Sequence, residues 1–138
     1  MKAAIQLLNY AATHPNATIR YHASDMILHI VSDASYLSAS GARSRLGGYL
    51  FLSNHGTSVD PTAAPAKSNG PILVNSSIMS AVLASAGEAE LGAMFYNAKD
   101  GVMLRNTLQD LGHVQPATLI ETDNACAAGI ANDTIKQK

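Results

Sequence analysis

Two apolar runs in this chain end on an aspartate: MILHIVSD at residues 26–33 and ATLIETD at residues 117–123. Runs this rich in Ile, Leu and Val read as strands. A long stretch of helical period lies between them. A helical crossover between two strands of one sheet sets them parallel. If the two are neighbours, Asp33 and Asp123 leave the sheet at the same end, where open α/β sheets place their sites. Few residues are charged (14%), so two carboxylates at buried strand ends need an explanation.

The other segments fill in an α/β order. Residues 3–13, AAIQLLNYAAT, carry Ile5, Leu8 and Ala12 at helical spacing, and Pro15 ends that helix. ATIRYH (17–22) is predicted as a short strand, GARSRLGG (41–48) as a loop or bulged turn, and GYLFLSN and PILVNSS as strands two and three of a meander. Residues 54–70, rich in Pro, Gly, Ser and Asn, are predicted as a long flexible connection. From Ser85 the period becomes helical, with Leu91, Phe95, Ala98 and Val102 on one stripe and Leu104, Leu108 and Leu111 on another. This is one long helix, or two broken near Gly101. Ser85 and Glu88 form a capping-box pattern, and Gly112 is a stop. NACAAGIAND (124–133) reads as a short helix. The expected architecture is a mixed sheet of three antiparallel strands and a parallel fourth, with helices on its faces.

A chain of 138 residues holds one domain, and its net charge of −1 argues against binding nucleic acid by bulk attraction. A nucleic-acid role must therefore rest on a local site. The single cysteine, Cys126, excludes an internal disulfide and a thiolate metal cage, and fits a reducing compartment. No run is long enough to span a membrane, and the N-terminus lacks a signal-peptide pattern. His22, His29, His55 and His113 show no metal-ligand spacing and read as structural or solvent-facing.

Glu90, in the first turns of the long helix, can project over the same sheet edge. Asp33, Glu90 and Asp123 together would make a hard, oxygen-only pocket suited to Mg²⁺ or Mn²⁺ rather than zinc. Taken singly, each has an ordinary alternative as a turn, cap or solvated residue.

The segments SDASYLS...ARSRLGGYLFLSN, SAGEAELGAMF and IETDNACAAGIANDTIKQK, in that order, resemble the ribonuclease H domain in the polyprotein of copia-type LTR retrotransposons. The resemblance covers residues 17–138, and residues 1–16 look like the segment that joins this domain to the reverse transcriptase. It implies a ribonuclease H-like fold and hydrolysis of the RNA strand of an RNA–DNA hybrid with one or two Mg²⁺ or Mn²⁺ ions. Asp33, Glu90 (the second glutamate of EAEL) and Asp123 match the metal-binding carboxylates, and Glu88 matches a variable position. The implied partners are the hybrid and the reverse transcriptase of the same polyprotein, with no membrane. The implied setting is intracellular: cytoplasm, virus-like particle or nucleus. The family carries a fourth carboxylate, a further strand and a closing helix beyond the last segment matched here, and Asp133 does not match that fourth position. A sheet truncated before its last strand and helix is therefore expected, and an inactive structural or nucleic-acid-binding remnant is the alternative to an enzyme. Arg43 and Arg45, placed by this reading in the turn between the first two strands, are candidate phosphate contacts. Asn124 is a candidate contact to the nucleic-acid backbone or a helix N-cap.

Overall fold

A computed structural model describes residues 2–54 and 69–135. The elements are α1 (Lys2–Thr13), β1 (Ile27–Ala39), β2 (Arg43–Ser53), β3 (Pro71–Ile78), α2 (Ala86–Asp110), β4 (Leu119–Glu121) and α3 (Ala125–Ala131). Most of the connection expected at 54–70, His55 within it, and the last three residues lie outside the described residues. The chain is α/β, with one mixed four-stranded sheet in the order β3-β2-β1-β4. β1 pairs antiparallel with β2, β2 antiparallel with β3, and β4 parallel with β1. The crossover through α2 thus puts β1 and β4 side by side and parallel, but neither strand ends on its aspartate. β1 runs past Asp33 to Ala39, because Ala34, Ser35 and Ala39 keep pairing with β2, and β4 stops at Glu121.

Two segments differ from expectation. ATIRYH is not a strand. The Asn69 side chain takes up backbone groups there: the His22 N–H donates to its Oδ1 (2.8 Å), and its Nδ2 donates to the carbonyls of His22 (3.0 Å) and Leu52 (2.9 Å). Within the segment Asn69 serves only His22; residues 17–22 are all exposed, so water satisfies the other backbone groups and no strand ladder is needed. GARSRLGG is not a loop either. β2 begins at Arg43, so Arg43 and Arg45 are strand residues opposite Ala39 and Ser35. The turn shrinks to three residues, with left-handed backbone at Gly41 and Ala42 (φ +73° and +52°). The inward positions Ser44, Leu46, Gly48 and Leu50 do alternate in burial, but two of them are small or polar and hide the period-2 signal.

One face of the sheet packs on α2, which is a single unbroken helix through Gly101. The Glu88 N–H donates to the Ser85 Oγ (3.1 Å), and the Glu88 carboxylate accepts from the Ala84 N–H (2.6 Å) rather than from the Ser85 N–H. At the other end the His113 and Gly112 N–H groups donate to the carbonyls of Leu108 and Gln109, with Gly112 at φ +91°. That is the Schellman arrangement, which needs a glycine. The buried stripe is not the expected one. It runs Ala89, Ala93, Asn97, Gly101 and Leu108, while Phe95, Val102 and Leu111 are exposed. Small residues let the helix lie close to the sheet: a Cβ on Gly101 would sit 2.5 Å from the Ile30 Cδ1. Leu28, Ile30, Leu50 and Leu108 form one core cluster, with Leu104 and Ile120 packed against it. Leu46, Met79, Ala89 and Ala93 form a second. Each fully buried Leu or Ile contributes about 1.5–3 kcal/mol. In α1 the spacing of Ile5 and Leu8 makes a helix, but the helix buries no residue.

A polar clamp joins α2 to the sheet. Asn97 is fully buried; its Nδ2 donates to the Ser32 Oγ (2.9 Å) and the Gly47 carbonyl (2.8 Å), and its Oδ1 accepts from the Asn75 Nδ2 (2.9 Å). Asn75 also donates to Asp100 Oδ2 (2.8 Å). Asn97 fits only because residue 48 is glycine: a Cβ there would lie 2.1 Å from its Oδ1. Gly48→Ala is expected to expel the amide and destabilise the fold by about 2 kcal/mol. Asn97→Ala, which orphans its buried partners, is expected to cost about 3 kcal/mol. Urea denaturation measures both, and an unchanged midpoint for Gly48→Ala would show that Asn97 has room to move.

Candidate metal centre

β1 and β4 are paired through His29–Leu119, Ile30–Ile120 and Val31–Glu121. Two residues further along the chain stand Asp33, inside β1, and Asp123, just past the end of β4, which places them at about the same level beside that end. α2 starts at that end and brings Glu90 over it. Carboxylate oxygens of Asp33, Glu90 and Asp123 all lie within 4.8 Å of one another. The three residues expected to converge do converge, from three separate elements.

Their environments differ. Asp33 and Asp123 are exposed, whereas Glu90 is buried, with 6% of its surface accessible. The Ala34 N–H is shared, donating to Asp33 Oδ1 (2.8 Å) and to Glu90 Oε1 (3.2 Å). One backbone donor therefore serves two carboxylates. Glu90 Oε2 is buried and makes no hydrogen bond. Burial is the main cause that raises the Glu90 pKa above the usual carboxylate value, and the charges of Asp33 and Asp123 push it the same way. The Ala34 N–H and the Thr122 side chain work in the opposite direction without reversing the shift. At an effective dielectric of about 20, unit charges ~5 Å apart repel by roughly 3 kcal/mol, less here because two of the groups face solvent.

Such a group of oxygens could hold a metal ion. The donor set is purely carboxylate, which suits a hard cation such as Mg²⁺ or Mn²⁺. The orphaned buried Oε2 of Glu90 is an acceptor that a cation would satisfy. Glu88 takes no part, because its carboxylate caps the helix at Ala84.

The proposed nucleic-acid contacts stand around this edge without touching it. Arg43 and Arg45 are exposed on β2, and Arg45 lies opposite Ser35, two residues beyond Asp33. Asn124 caps α3, its Oδ1 accepting from the Ala127 N–H (2.9 Å). Two contributors were not foreseen from the sequence: the Ala34 N–H and Thr122. A backbone donor has no residue-type signature, and Thr122 is one of many threonines. No helix of the described residues is long and apolar enough to cross a membrane. Comparison with known protein families, characterised proteins and solved structures finds no match for this chain.

Because the folded state holds the Glu90 proton more tightly than the unfolded chain does, Glu90 favours folding below the ordinary glutamate value, and that contribution is lost as pH rises through its raised folded value. Glu90→Gln keeps an oxygen for the Ala34 N–H and removes the charge. At pH 7, without divalent cations, this variant is expected to be about 1 kcal/mol more stable than the native chain, with the advantage gone below pH 4. Thermal melts at the two pH values test this. Equal melting temperatures at pH 7 would mean that the site carries no electrostatic strain.

Proposed function

We propose that this chain is a ribonuclease H-like domain of a retrotransposon polyprotein, hydrolysing the RNA strand of RNA–DNA hybrids with Mg²⁺ or Mn²⁺. The observation that carries this reading is the convergence of Asp33, Glu90 and Asp123 where β4 ends beside the parallel β1. Three further points support it: the sequence resemblance to copia-type elements, the mixed sheet with three antiparallel strands and a parallel fourth, and the unpartnered Glu90 oxygen.

In this reading Asp33, Glu90 and Asp123 hold one or two divalent cations. When bound, these would activate water and neutralise charge on the scissile phosphate and leaving oxygen. The protein's own residues position and charge the site. By the resemblance, Asp33 would be the carboxylate shared when two cations are held. The shared Ala34 N–H orients Asp33 and Glu90 with respect to each other. In-line displacement at phosphorus asks mainly for positioning and charge neutralisation, so a carboxylate cage is chemically sufficient. Arg43 and Arg45, exposed on β2, are assigned to hybrid phosphates, and the free amide nitrogen of Asn124 to the backbone of the same substrate. The reverse transcriptase of the same polyprotein is the proposed neighbour in the chain.

The test is cleavage of an end-labelled RNA–DNA hybrid with Mg²⁺ or Mn²⁺, beside Mn²⁺ calorimetry. The native chain is expected to bind Mn²⁺ and cut the RNA strand. Asp33→Asn, nearly isosteric, is expected to reduce both to background. Equal Mn²⁺ affinity in the two proteins would place the cation elsewhere and remove the basis for this function. Binding of the hybrid and of Mn²⁺ without any cleavage would favour an inactive binding module.

A further inference from the structure

β4 is the least anchored wall of the site. It is three residues long, and β1 is its only strand neighbour among the described residues. Asp123 follows two residues after its end. Any slip of β4 along β1 would carry Asp123 away from Asp33 and Glu90, and only three residue pairs hold the register. On the α2 side of the sheet, Ile120 packs against the Leu28–Ile30 cluster. The opposite face carries a different contact. His29 is buried, with 1% of its surface accessible, and its Nε2 lies 3.0 Å from Glu121 Oε1. Ile30 faces α2, so alternation puts His29 on the other face. Its ring stacks on Phe51, its cross-strand partner on β2 (centroids 4.8 Å apart, planes at 24°). Glu121 pairs with Val31 and is therefore the diagonal neighbour of His29, within reach across two strands.

Phe51, His29 and Glu121 thus form a row across β2, β1 and β4. The ring is locked by stacking and has no partner at Nδ1. An imidazole protonated at Nε2 presents its proton to Glu121 and leaves only a lone pair at the unpartnered Nδ1. The contact is close rather than well aligned, since Nε2 also falls outside hydrogen-bonding geometry.

We propose that His29 and Glu121 are positioning residues for the carboxylate site: their contact latches β4 onto β1 and so sets where Asp123 stands relative to Asp33 and Glu90. The inference rests on the metal-site reading above. Neither residue touches the cation or the substrate.

The test uses the whole chain and four variants: His29→Phe, Glu121→Ala, Glu121→Gln and the His29→Phe/Glu121→Ala pair. His29→Phe keeps the stacking and the volume, and Glu121→Gln keeps an acceptor oxygen. Two quantities are read: amide hydrogen exchange at residues 119–121 without metal, and Mn²⁺ affinity of the folded protein by calorimetry. His29→Phe and Glu121→Ala are expected to speed exchange in β4 and to weaken Mn²⁺ binding about 10-fold, the effect typical of losing a supporting contact. Glu121→Gln is expected to restore both, and the pair to be no worse than either single change. If Glu121→Ala and Glu121→Gln weaken binding equally while His29→Phe does not, Glu121 acts through its charge and the latch is overturned. If both single variants bind and exchange like the native chain, the latch is overturned while the metal site stands. If the native chain fails to bind Mn²⁺, the metal reading falls and the positioning role with it. Should His29→Phe not fold, Glu121→Ala at its half-exposed position carries the test with Glu121→Gln.

Discussion

The buried amide of Asn97 is the contact on which the rest of the arrangement depends. The face of α2 that meets the sheet is made of Ala89, Ala93 and Gly101, side chains that would tolerate sliding and rotation. An amide in a dry interface does not, because each of its groups needs a partner in a fixed direction. Asn97 finds Ser32 on β1, Gly47 on β2 and Asn75 on β3. One side chain therefore ties the helix to three strands. Glu90 lies seven residues earlier, about 10 Å along the same helix. Fixing Asn97 fixes the place where Glu90 meets Ala34 and Asp33.

That rigidity is what lets the chain hold three carboxylates together. Left free, Glu90 would turn its charge to water and Asp123 would swing away with the end of β4. The clamp at one side and the β1–β4 pairing at the other leave neither option. The result is a raised Glu90 pKa and an oxygen without a donor. A carboxylate held in this way is one that a cation could satisfy, because a positive charge would relieve both the burial of Glu90 and its repulsion by Asp33 and Asp123.

The two faces of the sheet divide the labour. The α2 side carries the aliphatic clusters and the polar clamp. The other side carries aromatic and ionisable groups: Tyr49 against Phe51, Phe51 against His29, and His29 against Glu121. The extended segment before β1 is fastened at the edge of the sheet, where Tyr21 donates to the Pro71 carbonyl and Asn69 joins it to β2. The short β4 thus takes hold from both faces, through Ile120 on one and Glu121 on the other.

The sequence by itself determined the order of elements from β1 to α3, the caps of α2 at Ser85 and Gly112, the parallel placement of β4 beside β1, and so the nearness of Asp33 and Asp123, though not the absence of the strand expected at ATIRYH nor where β1 and β4 end. These follow from local physics: the period of apolar residues, the chemistry of helix ends and the handedness of crossovers. Only the tertiary structure decided which stripe of α2 is buried. Leu91, Phe95 and Val102 advertise an apolar face, yet Ala89, Ala93, Asn97 and Gly101 occupy the interface, because close approach to Ile30 and Gly48 selects for small size rather than hydrophobicity. It also decided that β2 begins at Arg43, since Ser44 and Gly48 carry no strand signal until β1 and α2 cover them. The burial of Glu90 and the meeting of His29 with Glu121 arise between residues 56 and 92 positions away from their partners in the chain. No local pattern encodes such contacts; they exist only once the sheet has brought the strands together.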